Sequence, residues 1–185
     1  MALSMTDQVV LVDDNDIEIG IMDKVEAHRG AGKLHRAISV FLFNSRGELL
    51  LQQRSSQKIT CQLKWANTCC GNVRPTESYL ECANRRLFEE LGISGVNLVP
   101  VTKFQYQVSC DDRFSEAEID QVFTGIYDGD IVPNSLEVAS VMWVNPHHIF
   151  SAWSDEENWE TSTYVPWAQF FMAQPQIAAL LRHPL

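Results

Sequence analysis

The chain has 185 residues, of which 45% are hydrophobic and 21% are charged, and these values predict one globular domain over residues 1–185 with a sizeable core. Its formal net charge of −10 argues against a surface that binds nucleic acid or an anionic membrane. No apolar run approaches the ~18 residues of a membrane-spanning helix, so we expect no membrane partner.

The cysteines indicate a reducing compartment. There are five of them, an odd number, and they lack the paired spacing of a zinc ribbon. The first apolar run, residues 9–12, is too short for an export signal and is followed by two aspartates. We therefore expect reduced thiols and a cytoplasmic protein.

Strands are predicted where β-branched, aromatic and other apolar residues run between turn residues, at positions 8–12, 17–21, 34–44, 48–54, 101–107, 118–127 and 138–144. Residues 24–33 and 58–68 lack such a pattern and are predicted as loops. An amphipathic helix is predicted over 166–181, with Pro166 in its first turn. Strands and helices in this order predict an α+β fold with a mixed sheet between helices.

A second helix is predicted between Thr76 as its N-cap and Gly92 as its C-terminal stop. Spacings of three and four predict a core stripe on it, formed by Leu80, Ala83, Leu87 and Leu91. Two adjacent glutamates, Glu89 and Glu90, lie near the C-terminus, where the helix dipole disfavours negative charge. A cation close to them would offset this cost.

The charged residues of this helix and of the loop before it have a specific spacing, formed by Gly71, Glu77, Arg85, Leu87, Glu89, Glu90, Gly92 and Ile93. A solvated face of Glu–Arg pairs is the simpler interpretation of such charges. The spacing nevertheless resembles the Nudix box, and clustered carboxylates suit a Mg²⁺–diphosphate site. At Arg86 the box has a glutamate, and this departure resembles the type I isopentenyl-diphosphate isomerases. The resemblance implies a Nudix-type mixed sheet sandwiched between helices.

The resemblance also implies a pair of groups for proton transfer. A cysteine is usually a small buried hydrophobe, as we expect for Cys69, but Cys70 matches the catalytic acid/base of the isomerases. Glu116 and Glu118 are two apart and would share one face of a strand. In the isomerases both carboxylates bind a divalent metal, and the second is the proton-transfer partner of the cysteine. Tyr106 matches the tyrosine of that active site.

The resemblance implies two metal ions. Lone histidines are usually surface residues, but His28 and His35 match metal ligands of the isomerases, which would join Glu116 and Glu118 on one Mn²⁺, Zn²⁺ or Mg²⁺. The isomerases place a third imidazole where this chain has Asn72, so we expect a weaker site that Asn72 either joins through its oxygen or leaves to water. A Mg²⁺ ion is expected on Glu90 with the substrate diphosphate. Two further histidines, His147 and His148, are interpreted as structural.

Four cations match residues that hold diphosphate in the isomerases: Lys24, Arg54, Lys58 and Arg86. Each alone would be an ordinary surface cation, but together they would supply the positive field that an acidic protein lacks. Trp167 matches the active-site tryptophan. On position alone a core aromatic is the simpler interpretation, whereas an indole face would stabilise a carbocation without trapping it.

The resemblance therefore predicts a metal-dependent isomerase that interconverts isopentenyl and dimethylallyl diphosphate, a small-molecule isoprenoid substrate, through a tertiary carbocation. One alternative is a Nudix pyrophosphohydrolase that uses Glu77, Glu89 and Glu90 on Mg²⁺. The second alternative, suggested by Asn72, is a catalytically weak binding protein of the same fold. Product analysis distinguishes the three, because they yield an isomer, a monophosphate or nothing.

Overall fold

The structure is a computed structural model that describes residues 8–154 and 163–183. In these residues the chain forms nine strands: Gln8–Val12 (β1), Glu18–Asp23 (β2), His35–Phe43 (β3), Leu49–Arg54 (β4), Trp65–Ala66 (β5), Cys69–Asn72 (β6), Val99–Ser109 (β7), Ser115–Ile126 (β8) and Val138–Val144 (β9). The seven predicted strands are thereby confirmed to within a few residues. The short strand β5 lies within the predicted loop 58–68, and β6 lies just after it, where no strand was predicted.

Strand β3 is the centre of the mixed sheet. Strand β8 pairs with it in parallel along its whole length, and β7 pairs with β8 in antiparallel orientation. On its other side β3 pairs with β6, and β4 links it to β5 and β9. The hairpin of β1 and β2 touches β3 at Leu11 and His35. The prediction of a mixed sheet is therefore confirmed.

Five helices are present in the described residues: Lys24–His28 (α1), Tyr79–Leu91 (α2), Pro146–Trp153 (α3), Ala168–Met172 (α4) and Pro175–Arg182 (α5). Alternate residues of β3 face two separate cores, because side chains in a strand point to opposite sides. Ile38, Val40 and Leu42 pack with α2, whereas Phe41 and Phe43 pack with α3, α4 and α5. Helices therefore cover both sides of the sheet, which confirms the α+β prediction. None of these helices is both long and apolar enough to cross a membrane.

Helix α2 begins later than predicted. Its N-cap is Ser78, whose hydroxyl accepts from the Glu81 amide while the Glu81 carboxylate accepts from the Ser78 amide. Thr76 cannot form this reciprocal pair, because the residue three positions later is Tyr79 and not a glutamate or glutamine. Its φ of 68° also lies outside the extended conformation that an N-cap adopts. Gly92 ends the helix in the left-handed conformation, as predicted.

The predicted core stripe of α2 is wrong at Leu80, which is 46% exposed. The buried face instead includes Ala83, Leu87, Leu91 and two charged residues, Arg86 and Glu90. These two side chains pair with each other, so a charged pair can share the face that packs against the sheet.

Two loop or helix predictions are also corrected. Residues 24–33 contain helix α1, because the Asp23 carboxylate caps it by accepting from the amides of Val25 and Glu26. The predicted helix over 166–181 divides into α4 and α5, because Pro175 cannot donate the hydrogen bond that would continue α4.

Helix α3 was not predicted. It starts with the Asn145 cap and Pro146, and it carries His147 and His148 exposed in its first turn. The prediction that residues 1–185 form one domain stays a prediction.

Candidate active site

Sheet register brings three of the predicted residues into one row. His35 of β3 lies opposite Glu118 of β8, and Tyr106 of β7 lies opposite Glu118 on its other side. The Tyr106 hydroxyl donates to Glu118 Oε2 at 2.5 Å, and His35 Nε2 lies 3.5 Å from Glu118 Oε1. Glu116 and Glu118 are both inside β8 and point to the same face, as their spacing predicted.

A second histidine completes a compact group of four potential ligands. His28, the last residue of α1, places its Nε2 atom 2.9 Å from Glu116 Oε2. One potential ligand atom from each of His28, His35, Glu116 and Glu118 lies within 4.8 Å of the others, and all four residues are buried. Two imidazole nitrogens and two carboxylate oxygens are a donor set that Zn²⁺, Mn²⁺ and related cations accept.

The orientation of both imidazole rings fits a bound cation. The Nδ1 atom of His28 lies 2.6 Å from the Lys24 carbonyl oxygen, and that of His35 lies 2.7 Å from the Lys33 carbonyl oxygen. Because a carbonyl oxygen only accepts, Nδ1 carries the hydrogen and Nε2 presents its lone pair to the carboxylates. Acceptors that face each other in this way need a proton or a cation between them.

Without a metal, the charges of this group stabilise each other. Burial lowers the pKa of His28, but Glu116 outweighs burial and leaves that pKa above its ordinary value. Burial raises the pKa of Glu116, but His28 outweighs it and leaves that pKa well below its ordinary value. In the absence of a metal, a proton on His28 therefore supplies the positive charge that balances Glu116.

Asn72, which replaces the third imidazole, lies against this group. Its Nδ2 atom is 3.0 Å from His35 Nε2 and 3.1 Å from Glu118 Oε1. With the amide in this orientation, it donates to two atoms that a metal would otherwise use. The position predicted for Asn72 beside the ligands agrees with this geometry, and its ligation of a metal stays a prediction.

The two cysteines of β6 belong to different sides of the sheet. Cys69 is fully buried in the core beneath α2, and its thiol lies 3.4 Å from Glu90 Oε2. Cys70 faces the opposite side, where it lines the same cavity as Tyr106 and Glu118. Strand alternation thus separates two neighbouring thiols.

The surroundings of Cys70 favour its protonated form. Its sulfur lies 3.1 Å from Asn67 Oδ1 and 3.6 Å from Ser39 Oγ. The Asn67 amide nitrogen donates to the carbonyls of Val40 and Cys69, which fixes its oxygen toward Cys70. Burial and, next, nearby negative charge raise the pKa of the Cys70 thiol to about 12.

Part of that negative charge belongs to Asp120, which the sequence reasoning missed. Its Oδ2 atom accepts from the Ser39 hydroxyl at 2.7 Å, and its Oδ1 atom has no hydrogen-bond partner in the described residues. Burial and then the Glu118 charge raise the pKa of Asp120 well above its ordinary value. Asp120 continues the period-two series of Glu116 and Glu118, so this spacing could have identified it.

All four predicted cations line one cavity of about 270 Å³ together with Cys70, Tyr106, Glu116, Glu118 and Trp167. The Arg54 guanidinium donates to the carbonyl and hydroxyl of Thr60 and lies over the Trp167 ring, 5.2 Å from its centroid. The Trp167 side chain is 3% exposed and its Nε1 atom has no partner in the described residues. The predicted basic residues and the predicted indole therefore share one space.

Two carboxylates balance the charge of Lys58 and Arg86. Glu90 is fully buried and accepts from Lys58 Nζ at 2.8 Å, from Gln52 at 2.7 Å and from Arg86. Glu137 accepts from the same Lys58 and Arg86. Glu90 thus lies under the cations and outside the lining of the cavity, and its binding of Mg²⁺ stays a prediction.

Glu137 was missed by the sequence reasoning. It is a single charge just before β9, outside the box, and no local pattern distinguishes it.

The other carboxylates of the box are paired with arginines. Glu77 accepts from Arg85 at 2.6 Å, and Glu89 accepts from Arg85 at 3.0 Å and from Arg86 at 2.7 Å. The three carboxylates that the hydrolase alternative needs on Mg²⁺, Glu77, Glu89 and Glu90, are therefore each engaged by a basic side chain.

The chain is similar to known proteins over most of its length. The NUDIX domain family matches residues 33–168. Isopentenyl-diphosphate Delta-isomerase 1 of Aromatoleum aromaticum is 47% identical over 76% of this chain and 78% of its own length. Isopentenyl-diphosphate Delta-isomerase of Burkholderia multivorans is 39% identical over 82% of this chain and 85% of its own length.

Among solved structures, DR0079 from Deinococcus radiodurans superposes with a TM-score of 0.69 over 88% of this chain and 96% of its own. At 20% sequence identity this likeness concerns the fold alone.

Proposed function

The chain belongs to the isopentenyl-diphosphate Delta-isomerases of the Nudix superfamily, and we propose that it interconverts isopentenyl diphosphate and dimethylallyl diphosphate. The observation that carries this proposal is the single cavity in which Cys70 and the Tyr106–Glu118 pair lie beside Trp167 and four cations. Hydrolysis of a diphosphate needs neither a buried thiol nor an indole.

The reaction moves a double bond by adding one proton and removing another. Addition to the terminal carbon of isopentenyl diphosphate leaves a tertiary cation, and loss of a proton from the neighbouring methylene gives dimethylallyl diphosphate. We assign these transfers to Cys70 and Glu118, acting on opposite faces and exchanging the acid and base roles with the direction of reaction. Tyr106 donates to Glu118 and can assist transfer there. The raised pKa of Cys70 favours the thiol, the form that can donate a proton. After each turnover Cys70 has lost one proton and Glu118 has gained one, so a proton must return from Glu118 to Cys70, directly or by exchange with solvent.

Trp167 is proposed to stabilise the cation. Its ring already lies beneath the Arg54 guanidinium, which supports an electrostatic role for the indole face. The ring is almost fully buried, and exclusion of water matters because water would capture a tertiary cation.

The diphosphate is proposed to bind Lys24, Arg54, Lys58 and Arg86. Glu90 would hold Mg²⁺ at this end, and His28, His35, Glu116 and Glu118 would hold a second divalent ion. When bound, such ions neutralise charge and fix the carboxylates in place. The chain's own cations bind and orient the diphosphate, while Tyr106 positions a proton at Glu118.

The proposed setting is isoprenoid biosynthesis in the cytoplasm. The five cysteines, all within the described residues, form no disulfide, which supports a reducing compartment.

The deciding experiment incubates the protein with isopentenyl diphosphate and Mg²⁺ and identifies the product. Dimethylallyl diphosphate is expected. Release of phosphate with a monophosphate product would support the pyrophosphohydrolase alternative. Unchanged substrate despite measurable binding would support the alternative of a catalytically weak binding protein.

A further inference from the structure

A carboxylate outside every sequence motif occupies the basic part of the cavity. Glu137 Oε2 accepts from Lys58 Nζ at 2.5 Å and from Arg86 Nη2 at 3.3 Å. Both cations belong to the set assigned to the diphosphate. Glu137 itself lines the cavity, so a ligand there would meet its side chain.

Glu90 contacts the same two cations but differs in exposure. The Glu90 side chain is 1% exposed, whereas that of Glu137 is 30% exposed. Glu90 also accepts from Gln52, and the Cys69 thiol lies against it. In the free protein Glu90 is therefore a buried counter-ion beneath the cations, whereas Glu137 covers them on the side of the cavity.

The Glu137 side chain can leave without disturbing the backbone. In the described residues, its carboxylate makes hydrogen bonds to Lys58 and Arg86 alone. Its main chain is fixed separately, because the Glu137 amide donates to the Asn134 carbonyl and its carbonyl accepts from Ser55. A rotation about the side-chain bonds would release both cations.

A diphosphate would compete directly for these donors. Phosphate oxygens accept charge-assisted hydrogen bonds from Lys and Arg as carboxylates do, and a diphosphate offers more acceptors and more charge than one carboxylate. Lys24 adds a further positive charge at the same cavity and makes no side-chain hydrogen bond in the described residues. The site is therefore more favourable for a multiply charged anion than for Glu137.

We propose that Glu137 is a displaceable counter-ion that holds Lys58 and Arg86 in the free protein and yields them to the diphosphate, thereby lowering the affinity for it. This inference rests on the proposed function, because it assumes that the diphosphate binds these cations. Glu137 is then a determinant of substrate affinity at the cavity.

The test measures the binding of inorganic pyrophosphate by calorimetry, with EDTA and then with Mg²⁺, in wild type and Glu137→Gln. The variant keeps the shape but loses the competing charge, so its dissociation constant in EDTA should fall about tenfold, the equivalent of ~1.4 kcal/mol. Glu137→Asp, whose shorter side chain keeps the charge but weakens the contact, should lie between the two.

Glu89→Gln is the matched control. Glu89 also pairs with Arg86 and its side chain is 32% exposed, but it lies outside the cavity wall. Glu89→Gln should change the dissociation constant less than about threefold, because a ligand in the cavity would not displace a side chain that lies outside its lining. An effect equal to that of Glu137→Gln would overturn the inference.

Other outcomes separate the inference from the proposed function. If the wild type bound no pyrophosphate, the proposed diphosphate site itself would be refuted. Equal affinity of wild type and Glu137→Gln would overturn the inference alone. Weaker binding by Glu137→Gln with Mg²⁺ present would identify Glu137 as a metal ligand instead of a competitor.

Discussion

At the residue scale, the two thiols of β6 have different surroundings although they are adjacent. Cys70 lines the cavity, whereas Cys69 lies in the core beneath α2. Cys70→Ala should abolish isomerisation without unfolding the protein. Cys69→Ala should retain most activity and lower the free energy of unfolding by about 1–2 kcal/mol, as small core truncations do. Steady-state assays and urea unfolding of both variants test this, and equal loss of activity would refute the assignment of Cys70.

The lowered pKa of Lys24 leads us to expect that diphosphate binding depends on pH. Burial lowers its pKa from the ordinary 10.5 to about 8, and the charges of Lys58 and Arg86 act in the same direction. Because only the protonated amine attracts an anion, affinity for pyrophosphate should decline as the pH rises through about 8.

Lys24→Arg keeps its charge in this range, so it should reduce that decline. Calorimetry between neutral and alkaline pH compares the two proteins, and parallel curves would show that another group is responsible. The native state binds fewer protons at Lys24 than the unfolded state between about pH 8 and 10.5, so this group should make stability rise with pH there.

With Asn72 in place of a histidine, we expect the metal site to bind more weakly. Its amide nitrogen donates to His35 and Glu118, and an amide is a poorer ligand than imidazole for Zn²⁺ and Mn²⁺. Asn72→His should therefore bind either ion more tightly, by about tenfold or more, the usual scale for a ligand-shell change. Metal titration followed by mass spectrometry measures this without any assay of activity. Equal affinity in both proteins would place Asn72 outside the metal site.

At the element scale, strand β6 and helix α2 approach closely at Gly71. A Cβ atom added there would lie 2.5 Å from Cγ of Arg86 and 2.9 Å from its Cδ. Gly71→Ala should therefore push the guanidinium out of the cavity and raise KM about tenfold, the scale of one lost charge-assisted contact. Gly20→Ala is the control, because its Cβ would meet nothing within 4 Å. An unchanged KM in Gly71→Ala would mean that Arg86 is free to shift without loss of binding.

At the scale of the whole molecule, the aromatic core on one side of the sheet supports the C-terminal helices and the Trp167 segment. Phe171 of α4 is fully buried, with its ring centroid 5.1 Å from that of Phe41 and 5.8 Å from that of Trp153. Phe171→Ala should lower the free energy of unfolding by about 3–5 kcal/mol. Phe88→Ala on α2 removes a ring that is 64% exposed and should change it by less than about 0.5 kcal/mol. Chemical unfolding of both variants provides the comparison, and similar midpoints would contradict the layered core.

Features that depend on neighbours along the chain could be predicted from the amino-acid sequence alone. Apolar runs located seven strands, and Gly92 ended α2 because the left-handed conformation costs glycine little. The box spacing and the departure from it at Arg86 were sufficient to predict the family, which the comparisons confirm. The local errors, at Thr76 and Leu80, arose where a capping box and a buried ion pair outweighed simple propensity and periodicity.

Which distant groups meet depends on how the strands pair in the folded protein. Strand pairing places His35, Tyr106 and Glu118 in one row. The register of this pairing could not be read from the sequence. The counter-ion Glu137 and the Ser39–Asp120 contact near Cys70 likewise come from separate segments. Charges and hydrogen bonds depend on distance through space, and the sequence fixes that distance only within a helix or a strand.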